Sequence, residues 1–356
     1  MKISYYKKTY YKIIVFIVAL LVTWKIYYTV NTYNDKYIHT LLYPKIKPLD
    51  TYYINVYDIQ KVSFSKYGNK YGKPILVVHG GPGSAPSEDA ARFFDPNYYF
   101  IIIVDQRRCG KSKPSGELRE NTTQNLIKDF ETVREKLNIN KWILFGGSWG
   151  STLSLAYSIK HTDIISGMIL RGIFLPTRKI IESIWTPDSV ISQFNPTAWD
   201  YFVNTLPTNS LTGSYIVDYN KCFNGKFGDK KRDECLLSWT VYQKSSSKLK
   251  FKDLKEEIDI VKKTNFVEAS LIENHYMMND CFLEPGFFSK IENINIPTII
   301  VQGRYDLVCP PISAHILRKM LPNSQLHTTL AGHSQYDDEN INKLVEATKT
   351  FQTLKI

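Results

Sequence analysis

The stretch FGGSWGST, residues 145–152, decides the fold that we predict for this chain. It follows the apolar run KWIL and precedes the helically spaced segment TLSLAYSIKHT, so it marks a turn from a strand into a helix. Gly146 and Gly150 stand two residues before and two residues after Ser148. A strand-to-helix turn that exposes a serine is so tight that both positions must be small. The stretch therefore predicts a serine held at the carboxyl end of a buried strand.

Short apolar runs, each ending in glycine, aspartate or histidine, occur on both sides of this turn. Continuous β-branched runs of this kind are typical of strands buried on both faces of a parallel sheet. Helical spacing between them gives the order strand, helix, strand, helix, which favours an open α/β sheet. Two earlier segments, YYINVYDI and KVSFSKYG, alternate apolar and polar positions and predict an antiparallel pair. The apolar runs are PILVVHGGPG, YFIIIVDQR, KWILFGGS, ISGMILRG and IPTIIVQGRYD.

The regular pattern stops after Arg171 and resumes at Ile296. Between them lie tryptophans, tyrosines and lysine-rich segments without a buried parallel strand, so we predict a mainly helical cap inserted into one α/β domain. The predicted divisions are a basic tail at 1–12, a transmembrane or signal-anchor helix at 13–30, a linker at 31–50, the first half of the core at 51–172, the cap at 173–290 and the second half of the core at 291–356.

The N-terminal segment carries four lysines before IIVFIVALLVTW, residues 13–24, which has no charged residue. This run predicts a helix that crosses a membrane once and anchors the protein there, if Lys25 reaches the membrane surface. A cleaved signal peptide and a packed N-terminal helix are the alternatives, but bulky Trp24, Tyr27 and Tyr28 stand where a cleavage site is expected. The lysine bias would leave the N-terminus cytoplasmic and the main domain across the membrane.

Composition excludes several classes of protein. The formal net charge is +11, but residues 1–50 hold eight lysines against two aspartates, so the rest of the chain needs no polyanionic partner and we expect no nucleic acid. The five cysteines form no C-x-x-C pair, which argues against structural zinc. Cys222 and Cys235 could form a bridge in an oxidising compartment, although we expect free cysteines. We expect no metal and no cofactor, and the oligomeric state stays open.

Three polar residues follow strands of the predicted sheet: Ser148, Asp306 and His333. Functional groups of open α/β sheets gather at the carboxyl ends of the strands. The chain order serine, aspartate, histidine is that of the α/β-hydrolases. We therefore predict a catalytic triad in which His333 takes the proton of Ser148 and Asp306 orients the imidazole.

A nucleophilic serine also requires donors for the oxyanion that develops during attack. The main-chain N–H of Trp149, at the start of the following helix, is one expected donor. The loop HGGPG, residues 79–83, lets the backbone approach the substrate without a β-carbon, and we predict the second donor at Gly81.

Five segments together resemble the proline iminopeptidases, α/β-hydrolases that remove N-terminal proline from peptides. They are GKPILVVHGGPG, DQRRCGKS, NTTQNLIKDFE, GGSWGSTLSLAY and LRGIFL, and FNPTAWDYF and LIENHY resemble parts of the family's helical cap. The resemblance covers about residues 50–350. It implies the triad and oxyanion residues named above, and it implies that Glu273 receives the terminal amine of the substrate.

The sequence departs from the family pattern at two positions. Where the family commonly has a tryptophan–glutamate pair, this chain has Tyr242 and Gln243, so one carboxylate is replaced by a neutral amide. Arg108 stands where the family usually has glycine. Because a buried ammonium requires a carboxylate partner, we expect Gln243 to weaken the affinity for a cationic amine.

These observations lead to one expected function and two alternatives. The expected protein is a membrane-anchored serine aminopeptidase that releases N-terminal proline, or a similar small residue, from short peptides. The first alternative is an esterase or amidase that uses the same triad on another small acyl substrate. The second is a non-catalytic, membrane-tethered binding protein.

Overall fold

The computed structural model describes four parts of the chain, residues 15–27, 41–56, 59–208 and 211–353. The chain divides into two compact units, Met1–Pro44 and Lys45–Ile356.

In the first unit, residues 15–27 form one helix, α1, whose side chains are exposed. In the described parts of the chain, no helix combines the length and the apolar character needed to cross a membrane. The predicted basic tail, both ends of the predicted membrane segment and residues 31–40 of the predicted linker lie outside the described residues.

An eight-stranded sheet forms the centre of the second unit, with the strand order β1-β2-β4-β3-β5-β6-β7-β8. β2 is antiparallel to both β1 and β4, and each pairing onward from β4 to β8 is parallel. The predicted antiparallel pair and the mostly parallel sheet are thus confirmed. The strands are β1 Asp50–Val56, β2 Gln60–Gly68, β3 Lys73–Val78, β4 Tyr99–Val104, β5 Trp142–Ser148, β6 Ile165–Ile173, β7 Thr298–Gly303 and β8 Ser324–Thr329.

Helices cover the sheet, which explains the unbroken apolar runs in its central strands. All six residues of β4 and all six of β7 are buried, because α3, α12 and α13 pack against the strands around them. The α2 helix begins where the Thr122 side chain accepts a hydrogen bond from the Asn125 N–H. The covering helices are α2 Thr123–Lys136, α3 Trp149–Lys160, α12 Pro311–Met320 and α13 Asp338–Thr353, and a 3₁₀ helix spans Glu88–Phe93.

The chain between β6 and β7 forms a helical cap. Its interior is aromatic: the Phe202 ring stacks on Tyr219 at a centroid distance of 4.4 Å and on Tyr242 at 4.7 Å. The α-helices of the cap are α4 Arg178–Ile184, α5 Val190–Phe194, α6 Pro196–Thr205, α7 Tyr215–Phe223, α8 Asp229–Ser245, α9 Leu254–Val261, α10 Phe266–Met278 and α11 Phe287–Ile291.

One expectation about the cysteines is wrong. Cys222 at the end of α7 and Cys235 within α8 form a disulfide, while Cys109, Cys281 and Cys309 are free and buried. The turn between α7 and α8 brings the two Cα atoms to 6.5 Å, within the range that a disulfide spans. Spacing along the chain did not reveal this, because the approach depends on how the two helices pack.

Candidate active site

Ser148 occupies the turn between β5 and α3 with φ 58° and ψ −128°, a backbone conformation that an L-residue adopts only under constraint. A β-carbon at Gly146 would fall on the carbonyl oxygen of Gly150. A β-carbon at Gly150 would in turn fall on the carbonyl oxygen of Val78 in β3. The two small residues predicted around Ser148 are therefore required by the close approach of α3 to β3 and β5.

His333 and Asp306 lie in the loops that follow β8 and β7. His333 Nδ1 lies 2.8 Å from Asp306 Oδ2, and Asp306 is buried. The other carboxylate oxygen accepts hydrogen bonds from the N–H groups of Val308 and Cys309, at 3.1 and 2.7 Å. These donors fix the carboxylate in the orientation that leaves Oδ2 for the imidazole.

Two residues at the end of β6 hold the histidine loop in place. The Arg171 guanidinium is buried and donates to the main-chain oxygen of His333. Gly172 has φ 55°, and a β-carbon there would lie 3.1 Å from His333 Nδ1 and 3.3 Å from Asp306 Oδ2. The His333–Asp306 pair can therefore lie against the backbone of Gly172 because this residue has no side chain.

A cavity of about 310 Å³ lies between the strand ends and the cap. Ser148 and His333 both face it, so the structure brings together two of the predicted triad residues at one cavity and holds the third against His333. The lining also includes three other predicted site residues, Gly81, Gln243 and Glu273.

The glycine loop after β3 lies directly beside Ser148. A β-carbon at Gly80 would be 3.2 Å from Ser148 Cβ and 3.8 Å from its Oγ, so a side chain there would crowd the serine. Gly81 has φ 116° and lines the cavity. Trp149 is the first residue of α3, so its N–H has no partner within the helix. Both predicted oxyanion donors are thus main-chain groups next to the serine.

Glu273 extends from α10 of the cap into this cavity. Its Oε2 accepts a hydrogen bond of 2.7 Å from Trp239 Nε1. The carboxyl faces the cavity and is enclosed by protein, and this burial raises its pKa to about 8. A carboxylate in such a place is costly unless a cation pairs with it, so the site suits an ammonium group.

Gln243 and Lys244 bring an amide and a second charge to the same cavity. Both are half-buried on α8. Burial lowers the pKa of Lys244, while the nearby Glu257 and Glu273 act in the opposite direction. Tyr242, in contrast, is buried in the cap and donates to the Ile184 carbonyl oxygen, so it does not face the cavity.

Comparison with known proteins agrees with this geometry. A family model described as alpha/beta hydrolase fold matches residues 73–340. A probable proline iminopeptidase of Leptolyngbya boryana is 39% identical over 327 residues, covering 88% of this chain and 98% of that protein. The proline iminopeptidase of Neisseria meningitidis serogroup A is 37% identical over 314 residues, covering 86% of this chain and 97% of that protein.

The chain belongs to the proline iminopeptidase family of the α/β-hydrolase fold. An esterase from Exiguobacterium antarcticum superposes with a TM-score of 0.58 over 85% of this chain and 99% of its own. It is 19% identical in sequence, so this likeness concerns the fold alone.

Arg108 is the other residue at which we expect this chain to depart from the family pattern. The residue has φ 65°, a conformation that glycine adopts freely and arginine does not. Its side chain is buried, and Nη2 donates to the Arg119 carbonyl oxygen at 2.7 Å. The backbone at this position is thus one that glycine adopts without strain.

Three residues that hold the site in place, Trp239, Gln302 and Arg171, are not among the predicted site residues. Trp239 lies four residues before Gln243 on α8, and this spacing places both on one helix face, a signal that could have found it. Gln302 donates to Asp306 Oδ2 at 3.1 Å and to the Cys309 carbonyl oxygen at 2.9 Å. The roles of Gln302 and Arg171 depend on contacts between loops, which no local pattern encodes.

Proposed function

We propose that this protein is a serine peptidase that removes N-terminal proline from short peptides through an acyl-enzyme intermediate. The observation that carries the proposal is the common cavity of Ser148, His333 and Glu273, which joins a nucleophile and base to a carboxylate suited to an ammonium group. The proline iminopeptidase relatives support the same reaction.

In the acylation step, Ser148 Oγ attacks the carbonyl carbon of the first residue of the substrate peptide. His333 takes the proton of the Ser148 hydroxyl during this attack. Asp306 is hydrogen-bonded to His333 Nδ1, which fixes the tautomer in which His333 Nε2 accepts that proton. The Asp306 carboxylate also stabilises the imidazolium that forms. The N–H groups of Gly81 and Trp149 bind the oxyanion. The C–N bond then breaks, and His333 returns the proton to the leaving amine.

In the deacylation step, water replaces the departed peptide. His333 takes a proton from the water as its oxygen attacks the prolyl ester, and the proton passes to Ser148 Oγ when the ester bond breaks. Free proline and the original serine are the products.

The cap limits this chemistry to chain ends. Glu273 enters the cavity from α10, which packs on the glycine loop so closely that a β-carbon at Gly83 would lie 2.8 Å from the Ala269 carbonyl oxygen. A free N-terminal ammonium can reach this carboxyl group and pair with its ionised form. An internal peptide bond carries no ammonium, so it leaves the carboxylate unpaired.

The direct test is turnover of a proline arylamide by the wild-type protein and by Ser148→Ala. We expect the variant to lose at least about 10⁴-fold in kcat, because it lacks the nucleophile. Ser84→Ala is a matched control, since Ser84 is another hydroxyl on the same cavity. Absence of proline arylamide turnover by the wild-type protein would remove the proposed substrate. If a fluorophosphonate still labelled Ser148, the esterase or amidase alternative would take its place, and if it did not, the binding protein would.

Gln243 tests how the cavity selects its substrate. We expect Gln243→Glu to lower KM for the cationic proline arylamide several-fold and to leave hydrolysis of a neutral acetyl ester unchanged, because the second carboxylate acts only on the ammonium. Gln335→Glu adds the same charge elsewhere on the cavity lining and serves as the control. Equal gains with both substrates would contradict a charge-based role.

We propose, in addition, that the N-terminal segment anchors the protein in a membrane with the catalytic domain in an oxidising compartment. The support is the uncharged run at residues 13–24 behind four lysines, together with the buried disulfide of the cap, since disulfides persist in oxidising compartments. Resistance of the full chain to alkaline extraction from membranes is the expected result. Release by alkali would contradict the anchor, and a new N-terminus after Trp24 would show signal cleavage instead.

A further inference from the structure

A chain of hydrogen bonds runs behind the catalytic serine from Trp149 to Gly80. Trp149 Nε1 donates to Gln106 Oε1 at 3.0 Å, and Gln106 Nε2 donates to the main-chain oxygen of His79 at 2.8 Å. The Gln106 main-chain N–H donates to His79 Nε2 at 3.0 Å. His79 Nδ1 lies 2.9 Å from the Gly80 carbonyl oxygen. Trp149, Gln106 and His79 are all buried.

The bond to the Gln106 N–H fixes the tautomer of His79. A main-chain N–H can only donate, so Nε2 must offer its lone pair, and the ring proton of the neutral imidazole is then on Nδ1. Nδ1 therefore donates to the Gly80 carbonyl oxygen. Burial lowers the pKa of His79 to about 4, in agreement with a neutral ring.

The Gly80 carbonyl belongs to the same peptide unit as the Gly81 N–H. In a trans peptide the C=O and N–H point in opposite directions, so a carbonyl held against His79 directs the Gly81 N–H away from that ring. Gly80 and Gly81 both line the cavity next to Ser148. His79 thus orients the donor expected to bind the oxyanion.

The other end of this series of hydrogen bonds is Trp149, the residue that carries the second expected donor. Trp149 supplies its main-chain N–H at the start of α3, and its indole is fixed by Gln106 and by an edge contact with Tyr276 at a centroid distance of 5.0 Å. One glutamine side-chain amide therefore contacts both Trp149, which carries one expected donor, and His79, which orients the other. Because this amide is buried, any rotation would leave its donors and acceptor unpaired.

We propose that Gln106 is a positioning residue that sets the distance and orientation between the Gly81 and Trp149 N–H groups through His79 and the Trp149 indole. The inference rests on the proposed function only for the assignment of the two N–H groups. It predicts a defect in binding the oxyanion and no defect in binding the substrate.

The test is Gln106→Leu, which keeps the volume and removes every side-chain hydrogen bond. We expect kcat for a proline arylamide to fall about 10- to 100-fold while KM changes less than about 3-fold, because misplaced donors act on the transition state alone. Affinity for proline boronic acid, which forms a tetrahedral adduct with an oxyanion, should fall in the same proportion. Inhibition by free proline should be unchanged.

Two further variants separate positioning from stability. Gln60→Leu removes another buried glutamine, whose Nε2 donates to the Arg119 carbonyl oxygen and which does not line the cavity, and should leave kcat unchanged. Trp149→Phe removes the indole donor to Gln106 while keeping an aromatic ring and the main-chain N–H, and should give a smaller loss of kcat in the same sense. If Gln106→Leu does not fold, Trp149→Phe carries the test.

Three outcomes would overturn the inference: an unchanged kcat, equal losses in affinity for free proline and the boronic acid, or an equal loss of kcat in Gln60→Leu. The rate of fluorophosphonate labelling provides a separate measurement, since it needs the oxyanion hole without a proline substrate. Wild-type labelling without arylamide turnover would end the proposed function, while slower labelling of Gln106→Leu would still support the inference.

Discussion

At the scale of single residues, the site depends as much on missing side chains as on those present. Gly80 lets a loop approach Ser148, Gly146 and Gly150 let α3 approach the sheet, and Gly172 leaves room for the histidine–aspartate pair. The sequence indicated the glycines around Ser148, because their spacing is local. It gave no role to Gly172, because the residues it makes room for lie more than a hundred positions away.

Gly172→Ala tests this directly. The new methyl group would lie 3.1 Å from the His333 ring at a backbone φ of 55°, so we expect kcat to fall about 10- to 100-fold through displacement of His333. Gly225→Ala is the matched control, because Gly225 has φ 79° but no atom within 4 Å of the added β-carbon. Both variants should lose about 1 kcal/mol of stability from backbone strain, and only the first should lose activity. Equal kcat values in steady-state assays would contradict the steric role.

The buried carboxyl of Glu273 predicts a pH dependence of stability. Its pKa rises from 4.5 to about 8 on burial, so the folded protein binds a proton that the unfolded chain has already released between these values. The ligand-free wild-type protein should therefore lose stability relative to Glu273→Gln as pH rises from about 4.5 to about 8. Denaturant midpoints of both proteins across this range measure the effect. A wild-type stability that stays constant or rises relative to that of Glu273→Gln over this pH range would contradict the assignment.

At the scale of elements, the cap depends on how α7, α8 and α10 are held together. The disulfide joins α7 to α8, and α8 presents Trp239 to Glu273 on α10. The sequence indicated a mainly helical region here but did not define these helices. In α10 the buried residues include Ser270, Ile272 and Asn274 at spacings of two, because the helix is covered on more than one side. Such a helix lacks the single apolar stripe that sequence patterns detect.

Removal of the disulfide should loosen this arrangement. The double substitution Cys222→Ser, Cys235→Ser opens a loop with a sequence separation of 13. We expect the free energy of unfolding to fall by about 3 kcal/mol, because the unfolded chain regains the entropy of that loop. KM for a proline arylamide should also rise, since Trp239 would hold Glu273 less firmly. Reductant added to the wild-type protein during denaturant unfolding should reproduce the loss, with Cys281→Ser as a control for a free buried cysteine. Unchanged unfolding under reduction would contradict the role of the bridge.

At the scale of the whole molecule, the sequence predicted the sheet and the order of the triad residues because both depend on strand ends. Ser148 ends β5, Asp306 and His333 follow β7 and β8, and parallel strands place their carboxyl ends at one edge. Contacts between cap and core, such as α10 on Gly83, could not be predicted in this way, since they join segments with no shared pattern.

The division of the chain into two units gives a whole-molecule prediction. All predicted site residues and all eight strands lie in Lys45–Ile356. A protein that begins at Lys45 should therefore retain kcat and KM for a proline arylamide within about 2-fold, because its cavity is complete. Steady-state kinetics of the full and shortened proteins, both in detergent, provide the comparison. A large loss of activity in the shortened protein would contradict this division of roles.

The cap leaves the sheet after β6 and returns at β7, and these two strands are parallel neighbours. Such a pair is ordinarily joined by one crossover helix, so the whole cap occupies the place of a single connection. Both ends of the cap therefore join the core at adjacent strands, so the cap can be exchanged without altering the order of the strands. A protein that carried the cap of another family member would lose Trp239, Gln243, Lys244 and Glu273 together, while Ser148, Asp306 and His333 stayed in the core, so we expect its choice of substrate to change without loss of the predicted triad.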